Sequence, residues 1–154
     1  MSTNNQTKIN KLLQSQPSGV VFLASWLEAN GYSRELQHRY IKSGWLKSIG
    51  HGAMIRTGQD VTWLGALYAI QNQAGKKIHL GGRSALVIQG MSHYVEMETK
   101  RRDLFAQRGS NLPSWFLKYD WGFEFILHMT DFLPYNIGLI PFQEKSFKVM
   151  VSSP

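Results

Sequence analysis

Residues 33–44 read S-R-E-L-Q-H-R-Y-I-K-S-G, and the fold turns on how they are read. Ser33 is suited to cap a helix, because its hydroxyl can accept one of the first free backbone N–H groups; Glu35 puts an acid at the positive end of the helix dipole. Leu36, Tyr40 and Ile41 recur at helical spacing and make an apolar stripe. The helical period puts Arg34, Gln37, His38 and Lys42 on the other face. That face offers two cations, an amide and an imidazole, and no acid. Such side chains hydrogen-bond base edges and phosphates. A solvated amphipathic helix carries the same pattern, so the neighbouring segments have to decide.

Upstream, Ile9, Leu12 and Leu13 predict a helix over about 7–16, stopped by Pro17-Ser18-Gly19, while residues 1–6 read as unordered. Val20-Val21-Phe22 predicts a short strand. A second helix is expected over 24–29, burying Leu23, Trp26 and Leu27, and Asn30-Gly31 closes it by tolerating the left-handed conformation of a C-cap. Downstream, Gly44 ends the basic helix. A strand over 45–49, a turn at Gly50-His51-Gly52 and a return strand over 53–56 then form a hairpin. Helix, short strand, helix, tight turn, helix, hairpin is the order of a winged helix-turn-helix, in which the third helix is presented to a groove. Lys47, His51 and Arg56 lie on the hairpin, or wing, placed for phosphates or the minor groove. A winged helix used as a protein-docking module has the same order and stays open here.

The charge distribution favours a polyanion. Of the net +7, most lies in residues 1–57, where seven lysines and arginines face two acids; a basic segment of this kind is an electrostatic footprint for nucleic acid. The hydrophobic share of 43% is that of a folded globular chain. No apolar run is long enough to span a bilayer and the N-terminus has no signal-peptide core. With no cysteine, disulfides, cysteine-held zinc and thiol catalysis are excluded; a cytoplasmic location is expected.

The boundaries expected are 1–57 for the winged helix and 58–154 for a second, mixed domain of helices and antiparallel strands, α+β overall. Asp60 or Thr62 caps a helix running to about Asn72, and His79 to Ser84 lead into a short helix over 85–89. Gly81-Gly82 before that helix suits a phosphate in principle, but no hydrophobic strand precedes it and no G-K-[ST] follows, so a turn is the reading. Strands are expected over 103–107, 124–129 and 147–151. The aromatic stretch over 112–123 holds Trp115, Phe116, Tyr119 and Trp121 near Arg101, Arg102 and Lys118. On an exposed sheet these rings would stack on single-stranded nucleic acid or RNA; the commoner use of such residues is a core. As a docking surface, residues 112–133 would drive self-association instead.

Catalysis finds no set of groups in the sequence. His38, His51, His79, His93 and His128 lack metal-ligand spacing. Gly109-Ser110 is followed by no D-x-D pair for two-metal phosphoryl transfer, and Asp120 and Glu124 read as surface residues. No cofactor, metal or catalytic residue is expected, and the chain reads as a non-enzyme.

Four stretches, the basic helix at 33–44, H-L-G-G-R-S-A-L-V-I-Q-G-M-S-H-Y at 79–94, L-P-S-W-F-L-K-Y-D-W at 112–121 and K-V-M-V-S-S-P at 148–154, resemble the AbiEi-type antitoxins of type IV toxin–antitoxin systems. The resemblance implies an autorepressor of a bacterial two-gene operon, bound to inverted repeats in double-stranded DNA, where a homodimer is compatible with the repeat. Its partner gene would encode a nucleotidyltransferase-like toxin that it counteracts without a stable complex. The resemblance puts Arg34, Gln37, His38 and Lys42 on the recognition helix and Lys47, His51 and Arg56 on the wing. In the family V-S-S-P leads on into further helices, so a chain ending at Pro154 reads as truncated. Arg34 and Gln37 are the expected base readers, Arg for guanine and Gln for adenine. Lys42, Lys47 and Arg56 are expected on phosphates.

Overall fold

The computed structural model describes residues 2–81, 84, 85, 88–90, 100–131, 139–144 and 146–152. The basic helix forms where its cap predicts. Ser33 Oγ accepts the Leu36 N–H at 3.1 Å, and the helix runs over Arg34–Lys42 as α3. Before it lie α1 (Ser2–Ser15), β1 (Phe22–Leu23) and α2 (Ala24–Ala29). The first helix starts at Ser2, so residues expected to be unordered are helical. Gly31 and Gly44, with φ of 92° and 87°, reverse the chain at the ends of α2 and α3 in a conformation that a side chain disfavours.

β2 (Leu46–Gly50) and β3 (Ala53–Arg56) form the expected hairpin, with Lys47 opposite Ile55 and a bulge between Ser48 and Gly50. With β1 they make an antiparallel sheet in the order β1-β3-β2, completing the element order expected of a winged helix-turn-helix. Its small core gathers Ile9 and Leu12 of α1, Phe22 of β1, Leu27 of α2, Leu36 and Tyr40 of α3, and Leu46 and Met54 of the hairpin.

α4 (Trp63–Asn72) follows, then β4 (His79–Leu80), β5 (Arg101–Gln107), α5 (Ser114–Lys118), β6 (Glu124–Thr130), β7 (Leu139–Glu144) and β8 (Phe147–Ser152). The five strands are ordered β6-β5-β4-β8-β7. The α+β class holds, but the sheet is mixed: β5 and β6 pair in parallel, as do β4 and β8, while β4–β5 and β7–β8 are antiparallel. The physical reason is the link over residues 108–123, which carries α5 and is long enough for a crossover that a hairpin cannot make. β7 was not expected, and its Pro141 fits only because it lies on the sheet edge. At 81–89 the Ala85 N–H donates to Gly81 O and the Gln89 N–H to Ala85 O, four-residue spacing that matches the expected helical turn. Gly82, Arg83, Leu86, Val87 and the segment 91–99 lie outside the described residues.

One larger core crosses the expected 57/58 boundary. Val20, Val21, Leu23, Ala53 and Ile55 pack with Trp63, Leu67 and Ile70 of α4 and with Leu104, Phe116 and Val149 beyond it. Gly65 of α4 lies so close to the chain at Gly19 that an added Cβ would sit 1.9 Å from Gly19 O. Beside it the Val21 N–H donates to Gly65 O at 3.3 Å, and the Gln73 amide takes the Leu23 N–H and donates to Val21 O, both at 2.8 Å.

Candidate nucleic-acid interface

α3 and the β2–β3 hairpin enclose a cleft of about 260 Å³, lined by Arg34, Gln37, His38 and Ile41 from the helix and by Ser48 and Gly50 to Met54 from the hairpin. Among the described residues no carboxylate lines it. The geometry follows from the sequence: Leu36 and Tyr40 bury one side of α3, which leaves Arg34, His38 and Lys42 exposed on the other. Arg34 is steadied from α2, its Nε 3.4 Å from Glu28 Oε1, with both side chains about half exposed. Arg39, on the same helix, pairs with Glu35 one turn back at 3.1 Å.

Gln37 departs from the expectation. It is 3% exposed, and its Nε2 donates to Ala24 O at 3.0 Å and Tyr32 O at 2.8 Å. Its amide is therefore spent holding the α2–α3 corner, where two backbone carbonyls need donors, and it cannot reach a base edge while those bonds stand. The spacing 36, 37, 40 already belonged to the buried stripe of a helix; only the polarity of Gln37 pointed outward.

The hairpin residues divide. His51 is exposed in the turn and lines the cleft; Lys47 is exposed on β2 and outside it; Arg56, half-buried, pairs with Leu46 at the base of the hairpin, away from the turn. Lys42 is exposed at the C-terminal end of α3 and outside the cleft as well. Lys8 is used internally: its ammonium donates to Gly31 O and lies 5.1 Å from the Tyr32 ring, tying α1 to the turn before α3. Ser48, which no motif singled out, lines the cleft.

The aromatic stretch is mostly core. Trp115 is 6% and Phe116 1% exposed, Phe116 packs on Phe125 at 4.7 Å, and the Trp121 Nε1–H donates to Phe116 O. Tyr119 and Trp121, 4.4 Å apart, line a second cavity with Trp63 and Phe123, but Asp120 and Glu144 line it too. Two carboxylates there oppose a phosphate backbone. Arg101 is engaged by Asp103 at 2.9 Å, and Arg102 is buried with its guanidinium 4.1 Å from the Phe123 ring. These arginines are not arranged to serve a stacking platform, and the single-strand reading loses its surface.

The second part holds a polar cluster that the sequence did not reveal. Asp103 Oδ1 is 2.8 Å from His128 Nε2 and accepts two Arg101 bonds, while Ser84 Oγ is 3.3 Å from Oδ2 and takes the Asp103 N–H at 2.8 Å. Burial raises the Asp103 pKa, but the hydrogen bonds from His128 and Arg101, the Arg101 charge and Ser84 outweigh it and leave the carboxyl below its ordinary value. The carboxylate lies between hydroxyl and imidazole, so among the described residues Ser84 makes no hydrogen bond to a histidine and the Ser–His pairing of an activated nucleophile is not formed. His79 and His128 flank the Phe105 ring at 6.0 and 4.7 Å, and burial lowers the His79 pKa. Among the described residues no three His, Asp or Glu side chains are grouped to hold a metal ion, and no helix is long and apolar enough to cross a membrane.

These features define an α+β chain with a cleft between a basic helix and a hairpin, lined among the described residues by arginine and histidine and by no carboxylate. The family model described as the transcriptional regulator, AbiEi antitoxin N-terminal domain, matches residues 5–97. The chain belongs to that family, a class of regulators rather than of enzymes. No curated protein matches it. The crystal structure of the RV2827C protein from Mycobacterium tuberculosis is similar at a TM-score of 0.48 and 15% sequence identity, over 80% of this chain and 44% of that one. The chain thus spans less than half the length of that neighbour.

Proposed function

We propose that this chain is a sequence-specific DNA-binding autorepressor and antitoxin of a bacterial type IV toxin–antitoxin operon, with α3 as recognition helix and the β2–β3 hairpin as wing. The observation that carries the reading is the cleft, which presents Arg34, His38, Ser48 and His51 with no carboxylate in its lining among the described residues. Arg34 reads a base edge from the first turn of α3, guanine being the natural partner of a guanidinium. His38 is the second reader, in place of Gln37. Lys42 and Lys47 neutralise phosphates and make affinity salt-dependent; Arg56 sits furthest from the wing turn and contributes least. In the proposed operon the chain binds inverted repeats upstream of its own gene, two copies to an operator, in the cytoplasm. It opposes a nucleotidyltransferase-like toxin without forming a stable complex with it.

The test is fluorescence anisotropy with the upstream region of this protein's own operon against a scrambled duplex of equal length, titrated with salt. Preference for the upstream duplex, weakening as salt rises, is expected. Arg34→Ala should cost about 1–3 kcal/mol of discrimination at one base position. Equal, weak binding to both duplexes would defeat the reading and leave a basic docking module.

A further inference from the structure

We propose that α5 is a third DNA-facing element: Trp115 fixes the position of the wing turn, and Lys118 adds a phosphate contact beside it. This rests on the reading of α3 and the wing as the DNA interface. Where β2 ends, Gly50 meets α5 backbone to backbone. A Cβ placed on Gly50 would lie 3.0 Å from Trp115 Cβ and 3.4 Å from Trp115 Cα. The bulge between Ser48 and Gly50 falls at the same point, so β2 changes register where it touches α5; bulges commonly redirect a strand next to a functional surface.

α5 is a firm support. Trp115 is buried and stands edge-on to Phe116 at 5.9 Å, and Phe116 is locked between Trp121 and Phe125 over the five-stranded sheet. The wing turn therefore rests on α5, which is itself packed on the second sheet, rather than projecting freely. Lys118 follows Trp115 by three residues. Helix neighbours at that spacing have Cβ atoms about 5–6 Å apart, so the Lys118 stem starts within roughly 9 Å of the wing turn. Lys118 is exposed, and among the described residues it has neither an ion-pair nor a hydrogen-bond partner. A flexible four-carbon stem carrying a point charge suits a phosphate rather than a base edge. A duplex lying along α3 and the wing turn thus passes within its reach.

The experiment is a salt titration of binding to the upstream duplex between 0.1 and 1 M, with the full chain, Lys118→Ala, and Lys148→Ala, an exposed lysine of β8, as a control. One phosphate contact contributes a slope of about 0.9 in log affinity against log salt. Lys118→Ala should therefore bind roughly 8-fold more weakly at 0.1 M, with the gap closing toward 1 M and the slope reduced by about 0.9. Lys148→Ala should follow the unaltered chain. Gly50→Ala, whose methyl would crowd Trp115 Cβ at 3.0 Å and shift the wing turn by a few tenths of an ångström, should also lose affinity while keeping the same salt slope. If Lys118→Ala keeps both affinity and slope while the unaltered chain prefers its operator, α5 is not part of the interface and the DNA reading stands alone. Undiminished affinity of Gly50→Ala would remove Trp115 from the interface. No operator preference in the unaltered chain would bring down the DNA reading and this extension together.

Discussion

Gly65→Ala is the perturbation that most directly probes how α4 is joined to the rest. In an ordinary helix interior the change stabilises by about 1 kcal/mol, because alanine loses less backbone entropy than glycine. Here the new methyl would fall 1.9 Å from Gly19 O, 3.1 Å from Gly19 C and 3.2 Å from Val61 Cγ1. A carbon–oxygen contact settles near 3.3 Å or beyond, so helix and chain must part by about 1.4 Å. The obstacle is backbone, and it is pinned. The Gly19 N–H donates to Gln59 Oε1, the Val21 N–H to Gly65 O, and Gln73 clamps Val21 O and the Leu23 N–H. Overpacking costs typically about 1–3 kcal/mol, and a pinned backbone puts this site at the upper end. The net loss is then about 2 kcal/mol, which lowers Tm by about 4–8 °C in a chain of this size. Thermal unfolding followed by circular dichroism reads it directly. A Tm equal to or above that of the unaltered protein, the result for a free helix surface, would refute the close approach.

Three further outcomes follow from the same packing. Gln37→Leu leaves the carbonyls of Ala24 and Tyr32 without their donor, and urea unfolding should show a loss of about 1–3 kcal/mol. Its base preference should persist; lost preference at unchanged stability would restore Gln37 as a base reader. Ser33→Ala removes the hydroxyl that accepts the Leu36 N–H and should cost about 1 kcal/mol, so an unchanged urea midpoint would show the cap to be unused. Acidification should destabilise the protein. Burial holds the His79 pKa below its unfolded value of about 6.5, so its contribution is full above that pH and is lost as pH falls through the folded pKa. Asp103, whose folded pKa is also depressed, acts in the same direction at lower pH. Tm should therefore fall between about pH 7 and pH 5, and His79→Phe should flatten the upper part of that fall; a Tm constant over this range would contradict the burial of His79.

What the sequence made legible was local. The Ser33 cap, the Asn30-Gly31 and Gly44 stops and the 46–56 hairpin each rest on neighbouring residues, and each element lies within a residue or two of its expectation. What it hid was non-local. Gln37 looks polar and outward until the α2–α3 corner supplies two carbonyls for it. The parallel pairing of β5 with β6 depends on a crossover that no period of hydrophobicity announces. β7 carries a proline, which disguises a strand until the sheet edge is known. Trp115 reads as a generic aromatic, and only the bare backbone of Gly50 against it shows that it supports the hairpin. Gly65 gave the one available hint of the seam, as a glycine inside a strongly apolar helix.

The seam also bears on where an independent unit can end. A fragment of residues 1–57 would keep the small core around Leu27, Leu36 and Tyr40. It would expose Val20, Val21, Leu23 and Ile55, each 9% exposed or less in the full chain, because α4 and the second sheet cover them. At about 1.5 kcal/mol or more per buried side chain, the fragment forfeits roughly 6 kcal/mol. That is comparable to the entire stability of many domains, and a chain below about 60 residues has little surplus. The fragment also loses Trp115 from beneath the hairpin turn. It should therefore show no cooperative thermal transition and poor amide dispersion in NMR spectra, whereas the full chain melts as one unit. A fragment that melts cooperatively and binds the operator as tightly as the full chain would show that the small core alone positions α3, and that the second sheet contributes nothing to the interface.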